Sequence, residues 1–576
     1  MKRLLIALPV LLLLAAGAWL AYTGLQAKRD LVSARDALQV VRHDITDGQV
    51  AAGRQHLALA AAKAHAARDR TGGPLWTVAA HIPWLGRPFD SARGLAQAAD
   101  TLTRTVLPPV VDTADRIDPK KLRVAADRVD LAPLSQAQPA LATAAAAATQ
   151  VQARVDALPS STWLSPVDDA RHTLAAQLHD LTATLTDADL AARLLPPMLG
   201  ADGKRSYFVT FQNPAEARGT GGLPGAFGIL DADGGRLHFR AFYNDTEMGG
   251  VHVSDDFGPD FAANYGSAQP QNVFVNSNMS PHFPYAAQLW LAMWQQKTGE
   301  HLDGALATDP VALSYLLRAT GPTTLTDGTA VSGDNIVALT LSTAYARFPN
   351  VAQRKQFFLD VAHAAADHIL HGSSGHTTDL VKAMGTAAGE GRFRVWSAHP
   401  AEQALIAPTK LSGVVPQTAA PYSAFVVENA AGSKLDYYLG RQITWTGGSC
   451  DATTRRTTVT VKLANHAPAS GLPDYVVVRA DQGGAGAPRG SEMLLASLFA
   501  TDGAQLAGLT VDGQPHAATL LRERGHPVYG LSLQINPGQT RTLTFTLIEP
   551  TAAGAPRLDV QPLVLPAQTR MAVPAC

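Results

Sequence analysis

The residues of this chain best suited to hold an anion fall in three short stretches. The first is YFVTFQNPAEARGTGGLPGAFGIL (207–230), where Arg218 stands beside Gly221 and Gly222. An arginine offers a fixed fork to phosphate or carboxylate, and glycines let backbone N–H groups approach an anion closely. The second is VAQRKQFF (351–358), which puts Arg354 and Lys355 on the first turn of a predicted helix with Phe357 and Phe358 behind them. Cations beside an apolar surface suit a phosphate on a greasy tail. The third is YNDTEMGG (243–250), where Asp245 lies at the end of a predicted strand and offers an oxygen to a hard cation such as Mg2+. Each stretch has a plainer reading too. Glu216 pairs with Arg218 and Asn213 caps the chain in a long turn, or the basic pair on the helix is simply solvated.

Several chemistries find no support. No Gly-Lys-Ser/Thr follows the glycines, so this is not a P-loop, and no Gly-x-Ser-x-Gly elbow exists for a serine hydrolase. His363, His368, His371 and His376 read as residues along or just past a helix rather than as metal ligands, and no general base stands out.

The elements that must position these residues change character along the chain. Ala34, Leu38, Val41 and Ile45 recur at helical spacing and predict a helical stalk. Further helices are expected over 91–106, 139–158 and 167–194, giving a helical bundle or stalk over 28–197. An α/β domain is expected over 198–410, with strands at Tyr207–Phe211, Ala226–Leu230 and Arg236–Tyr243. Helices are expected from Pro284, from Pro310 with Asp309 as cap, over 333–346 and over 351–370. Period-two runs such as RRTTVTVKLAN, DYVVVRA, VYGLSLQI and TRTLTFTLI predict an Ig-like β-sandwich over 411–576.

The chain's 576 residues are enough for about two to four domains. With 47 Lys and Arg against 48 Asp and Glu the formal net charge is -1, which excludes an electrostatic draw toward nucleic acid. LLIALPVLLLLAAGAWLAY (4–22) is uncharged and, at about 1.5 Å per residue, long enough to reach across a bilayer. Residues 1–27 are therefore expected to be a transmembrane anchor with a short cytoplasmic N-terminus, leaving a single-pass plasma-membrane protein with its C-terminal bulk extracytoplasmic. A signal peptide cleaved near Ala16-Gly17-Ala18 is the competing reading. The only cysteines, Cys450 and Cys576, either form a disulfide that closes a long loop or stand as two free thiols.

PLWTVAAHIPWLGRPF (74–89), LLPPMLGADGKRSYFVTFQNPAEARGTGGLPGAFG (194–228) and LDGALATDPVALSYLLRATGPTTL (302–325) resemble the bacterial domain-of-unknown-function family 4012, a likeness that covers the chain up to about residue 410. That resemblance implies an envelope protein and brings no activity with it. In layout the central domain is also similar to the LytR-CpsA-Psr family: a strand and an Arg-bearing loop, a strand ending in Asp245-Thr246, then a basic helix start. The second resemblance implies that Arg218, Arg354 and Lys355 grip phosphates of a polyprenyl diphosphate while Asp245 faces Mg2+. Asn244 departs from it, standing where that family has Arg. The expected function is a membrane-anchored envelope protein whose central domain binds a polyprenyl-phosphate-linked or other anionic cell-wall ligand. The alternatives are a phosphotransferase attaching glycopolymers to peptidoglycan and a non-catalytic spacer.

Overall fold

The computed structural model describes residues 2–114, 117, 123–125, 128–371, 377–481, 486–574 and 576, so His376 lies outside the described residues. The chain forms two compact units, Met1–Gly203 and Lys204–Cys576.

The first unit is helical: α1 (Lys2–Thr46), α2 (Val50–Thr71), α3 (Pro74–Ala80), α4 (Arg87–Thr101), α5 (Ala132–Asp156) and α6 (Ser165–Met198) are its main helices. Asp30 meets Arg70 at 2.8 Å while Asp44 meets His56 at 2.7 Å, so α1 and α2 run antiparallel. Their seam is built from small residues, Ala27, Ala34 and Ala37 against Ala60, Ala64 and Ala67, all buried, which lets the two backbones approach closely. Val41 is buried beside Leu38 and Ile45, as the helical spacing requires. The expected helix over 91–106 starts earlier, at Arg87, passes through a π turn at Leu102–Val106 and continues as α-helix over Leu107–Ala114.

Among the described residues no helix is long and apolar enough to cross a membrane. This overturns the expected transmembrane anchor, and with it the single-pass plasma-membrane placement. The apolar letters at 4–22 belong to one helix that runs on to Thr46, and any long window starting at Leu11 takes in Thr23, Gln26 and Lys28. From Thr23 onward α1 is committed to the bundle: Thr23 accepts a hydrogen bond from the indole of Trp76 at 2.9 Å, and Ala27 and Asp30 are buried. Side chains of residues 2–10 are outside the description.

The second unit begins with a sheet in the order β3-β2-β1-β4-β5, where β1 is Arg205–Arg218, β2 Gly221–Asp233, β3 Arg236–Asn244, β4 Gly304–Thr308 and β5 Arg394–Ser397. β1 and β4 are parallel and the other pairings antiparallel. Gly234 and Gly235, at φ 54 and 83, form the two-residue turn between β2 and β3, a geometry that side chains with a Cβ resist. Phe208 and Phe211, three residues apart on β1, face opposite sides of the sheet. Phe208 stacks on Phe227 and joins Trp290 and Trp294 of α7 (Phe283–Thr298). Phe211 joins the layer made by α8 (Pro310–Thr320) and α9 (Val351–His371), around Leu317, Phe357 and Val361. A fully buried side chain such as Phe208 contributes about 1.5 to 3 kcal/mol by transfer from water, and the partly buried Phe211 less. Asp309 caps α8 by accepting the Ala312 N–H at 2.7 Å.

The sandwich follows within the same unit. One sheet runs β11 (Thr519–Glu523), β12 (His526–Ile535), β9 (Glu492–Phe499), β6 (Tyr422–Asn429), β14 (Arg557–Val560). The other runs β10 (Gln505–Val511), β13 (Thr540–Pro550), β8 (Thr454–Asn465), β7 (Leu439–Gly447), β15 (Gln568–Ala572), with the short strand Gln514–Pro515 outside β10. Alternate residues such as Trp445, Val459, Val461, Leu494, Leu498 and Phe545 fill the core between them. β6–β14 and β7–β15 are parallel pairs, a departure from the antiparallel sheets of an Ig-like sandwich. DYVVVRA does not form the expected strand: Asp474–Val477 is a helical turn after Pro473, with Val476 and Val477 buried against Tyr345 and Leu435. Cys450 and Cys576 are joined by a disulfide with Cα atoms 5.9 Å apart.

Candidate anion-binding pocket

The stretch that opened the sequence reading is not a loop. β1 and β2 extend through it as one long hairpin turned by Gly219-Thr220, with irregularities at Phe211/Gln212 and Asn213/Ala217 that absorb the polar residues. A Cβ on Gly219 would lie 1.9 Å from the Met279 carbonyl oxygen, and one on Gly222 would lie 2.3 Å from the Asn213 carbonyl carbon. These glycines admit protein backbone, not an anion. Gly221, at φ 137, packs toward Gln212 and Pro562.

Arg218 is likewise committed to the protein. It is buried, and its guanidinium donates to the carbonyls of Val275 (3.2 Å), Ala217 (2.9 Å) and Asn429 (3.4 Å). Its charge faces two buried acids: burial outweighs the opposing pull of Arg218 and leaves the Glu428 carboxyl raised to about 8 and that of Asp436 to about 6. Asp436 also accepts the Ala217 N–H at 2.7 Å. Glu216 does not pair with Arg218; it pairs with Lys434 at 2.8 Å.

Arg354, Lys355 and Asp245 do converge, in a cavity of about 120 Å³ from which Arg218 is absent. Its apolar wall includes Phe211, Leu223, Leu313, Ile336, Phe358 and Val361. Its polar wall carries Asn213, Glu216, Asp245, Tyr345, Arg354, Lys355, Lys434 and Tyr475. α9 supplies Arg354 and Lys355 one residue apart, and the end of β3 supplies Asp245, where Asn244 accepts the Thr246 N–H at 3.0 Å and so sharpens the turn. The sandwich contributes Lys434 and Tyr475, whose distance in sequence hid them: DYVVVRA reads as an ordinary strand.

The charges of this wall are mostly paired. Lys355 Nζ lies 2.6 Å from Asp245 Oδ1, beside the buried Lys434–Glu216 pair. Arg354, 1% exposed, makes no ion pair among the described residues. Its Nη1 donates to the Phe348 carbonyl at 2.8 Å, its guanidinium carbon lies 3.8 Å from the centre of the Tyr475 ring, and its buried Nη2 has no hydrogen-bond partner among the described residues. Lys434 lies over the same ring at 4.8 Å. Tyr345 accepts from Asn213 Nδ2 at 2.9 Å, and burial, reinforced by Glu216, drives its hydroxyl far above the ordinary phenol range. The donor set does not fit Mg2+: Asp245 already neutralises an ammonium, and among the described residues no group of three or more His, Cys, Asp or Glu could hold a metal.

Two other features offer less. A hollow of about 300 Å³ on the first unit has Arg54 on its rim, already paired with Asp112 at 2.8 Å. At the other edge of the sheet His399 lies 2.8 Å from Asp303, yet the Ser397 hydroxyl donates to Glu402 at 2.5 Å and not to the imidazole, so no nucleophile is activated there.

The class defined by this geometry is an α/β layer sharing a polar-walled cavity with a β-sandwich. Residues 202–345 match the family model described as Protein of unknown function (DUF4012), the family that the motifs suggested, over a shorter span than the expected likeness up to about residue 410. The likeness to LytR-CpsA-Psr proteins is not shown. No curated protein and no solved structure matches the chain.

Proposed function

We propose that the second unit is a binding module of the cell envelope that takes an anionic amphipathic ligand, a polyprenyl-phosphate-linked or other anionic cell-wall component, in the Arg354 pocket. The observation that carries this reading is Arg354 itself. A guanidinium removed from water without a counter-ion costs free energy, and an anionic head in the cavity that Arg354 lines would offset it by charge attraction. The apolar wall beside it suits the first carbons of a lipid chain. The Cys450–Cys576 disulfide accords with an oxidising compartment. A spacer role accounts for the carbonyl and Tyr475 contacts of Arg354 but not for its lack of a counter-ion, and a phosphotransferase would need a metal or base that these residues do not supply.

The test is calorimetric titration of the full chain with dodecyl phosphate and dodecyl methyl phosphate, with dodecanol as the neutral control. Binding of at least one anion, absent for dodecanol and weakened about tenfold or more in Arg354→Gln, is the expected result. A variant with native circular dichroism that binds as the wild type does would remove the pocket from consideration.

A further inference from the structure

The pocket's charge inventory says more than that it takes an anion. Two carboxylates, Asp245 and Glu216, and three cations, Arg354, Lys355 and Lys434, line it. Each carboxylate is held by its own lysine, at 2.6 Å and 2.8 Å, so each pair is neutral as a unit. The excess is one positive charge, carried by the Arg354 guanidinium, which makes no ion pair among the described residues. A head with one negative charge completes this set. A second charge on the ligand would either lie unpaired in a largely buried site or draw a lysine away from its carboxylate, and both are unfavourable in low dielectric.

We infer that the pocket selects a singly charged head on an apolar chain, a phosphodiester or a carboxylate, over a phosphate monoester or a diphosphate. The inference rests on the reading of the site given above and narrows it. Asp245 acts here as the counter-ion that keeps Lys355 from a second ligand charge. A phosphodiester head corresponds to a lipid joined to its cargo through a single phosphate, whereas a carboxylate corresponds to a simple fatty acid.

The full chain is titrated at neutral pH with four probes sharing a dodecyl chain: dodecyl methyl phosphate, dodecanoate, dodecyl phosphate and dodecyl diphosphate. The wild type should bind one of the two monoanions at least about tenfold more tightly than the diphosphate, and whichever monoanion leads names the head. Asp245→Asn and Glu216→Gln each release a lysine, so each should shift the preference toward dodecyl phosphate or the diphosphate by about tenfold. If the wild type prefers the diphosphate, or Asp245→Asn destroys a Mg2+-dependent preference for it, the charge inference is overturned while loss of binding in Arg354→Gln still upholds the pocket. If folded Arg354→Gln binds all four probes normally, the pocket and the inference fall together.

Discussion

Two arginines that look alike in the sequence have opposite situations. Arg218 spends its donors on carbonyls and its charge on Glu428 and Asp436, whereas Arg354 lines a cavity with no ion-pair partner among the described residues. Composition alone could not separate them, because the difference lies in Asn429, Val275 and Tyr475, residues far along the chain. Helical spacing did bring Arg354 and Lys355 to one turn, and the strand end did place Asp245 near them, so part of the candidate site was legible. Lys434, Glu216 and Tyr475 were not, since their pairing crosses from sandwich to sheet. Arg218→Ala should therefore lower unfolding free energy in urea by roughly 3 kcal/mol by orphaning buried groups. Dodecyl-anion binding by the folded variant should persist. Lost binding with an unchanged urea midpoint would return Arg218 to the ligand.

At the scale of elements, local pattern succeeded where packing agreed with it. Asp309-Pro310 started α8 as its capping chemistry requires, and the turn at Gly234-Gly235 falls between the expected strands Ala226–Leu230 and Arg236–Tyr243. The hairpin tip failed because Gln, Asn, Glu, Arg and Gly are letters of a loop in water, while here their hydrogen bonds are met by neighbouring chain: Gln561 donates to the Arg218 carbonyl at 2.7 Å, and Gln212 donates to Thr220 at 2.7 Å. DYVVVRA failed for the converse reason, since its valines fill a cluster with Tyr345 instead of alternating across a sheet. The tip is also sterically closed. Gly219→Ala, whose methyl would meet the Met279 carbonyl, should lower the thermal midpoint by an amount matching about 2 kcal/mol or more. An unchanged midpoint would mean that the turn tolerates a Cβ.

For the whole molecule, buried acids set the response to pH. Burial raises Glu428 to about 8, Glu523 to about 7 and Asp436 to about 6. A raised folded pKa means that the native state holds the proton when the unfolded chain has released it, so the unfolded chain binds fewer protons between the two values. Stability is then fullest below the ordinary carboxylate range and falls as pH rises through about 6 to 8. The urea midpoint of the second unit's transition should drop between about pH 5 and pH 8, and Glu428→Gln should flatten the upper part of that slope. A midpoint that rises over this interval would contradict the burial of these groups. The disulfide, closing a separation of 126 residues, counters the loss with about 4 to 5 kcal/mol in the chain-entropy account.

Ala217, at the end of β1, sits in the sandwich core among Phe425, Trp445 and Leu531, and Arg392 bridges Asp309 to the Leu563 carbonyl. The stretch recognisable by family, 202–345, is thus a heading in the sequence and not an excisable body. A gene fragment cut at its edges would display a hydrophobic plug with no socket, and the smallest portion worth expressing alone runs from Lys204 to Cys576.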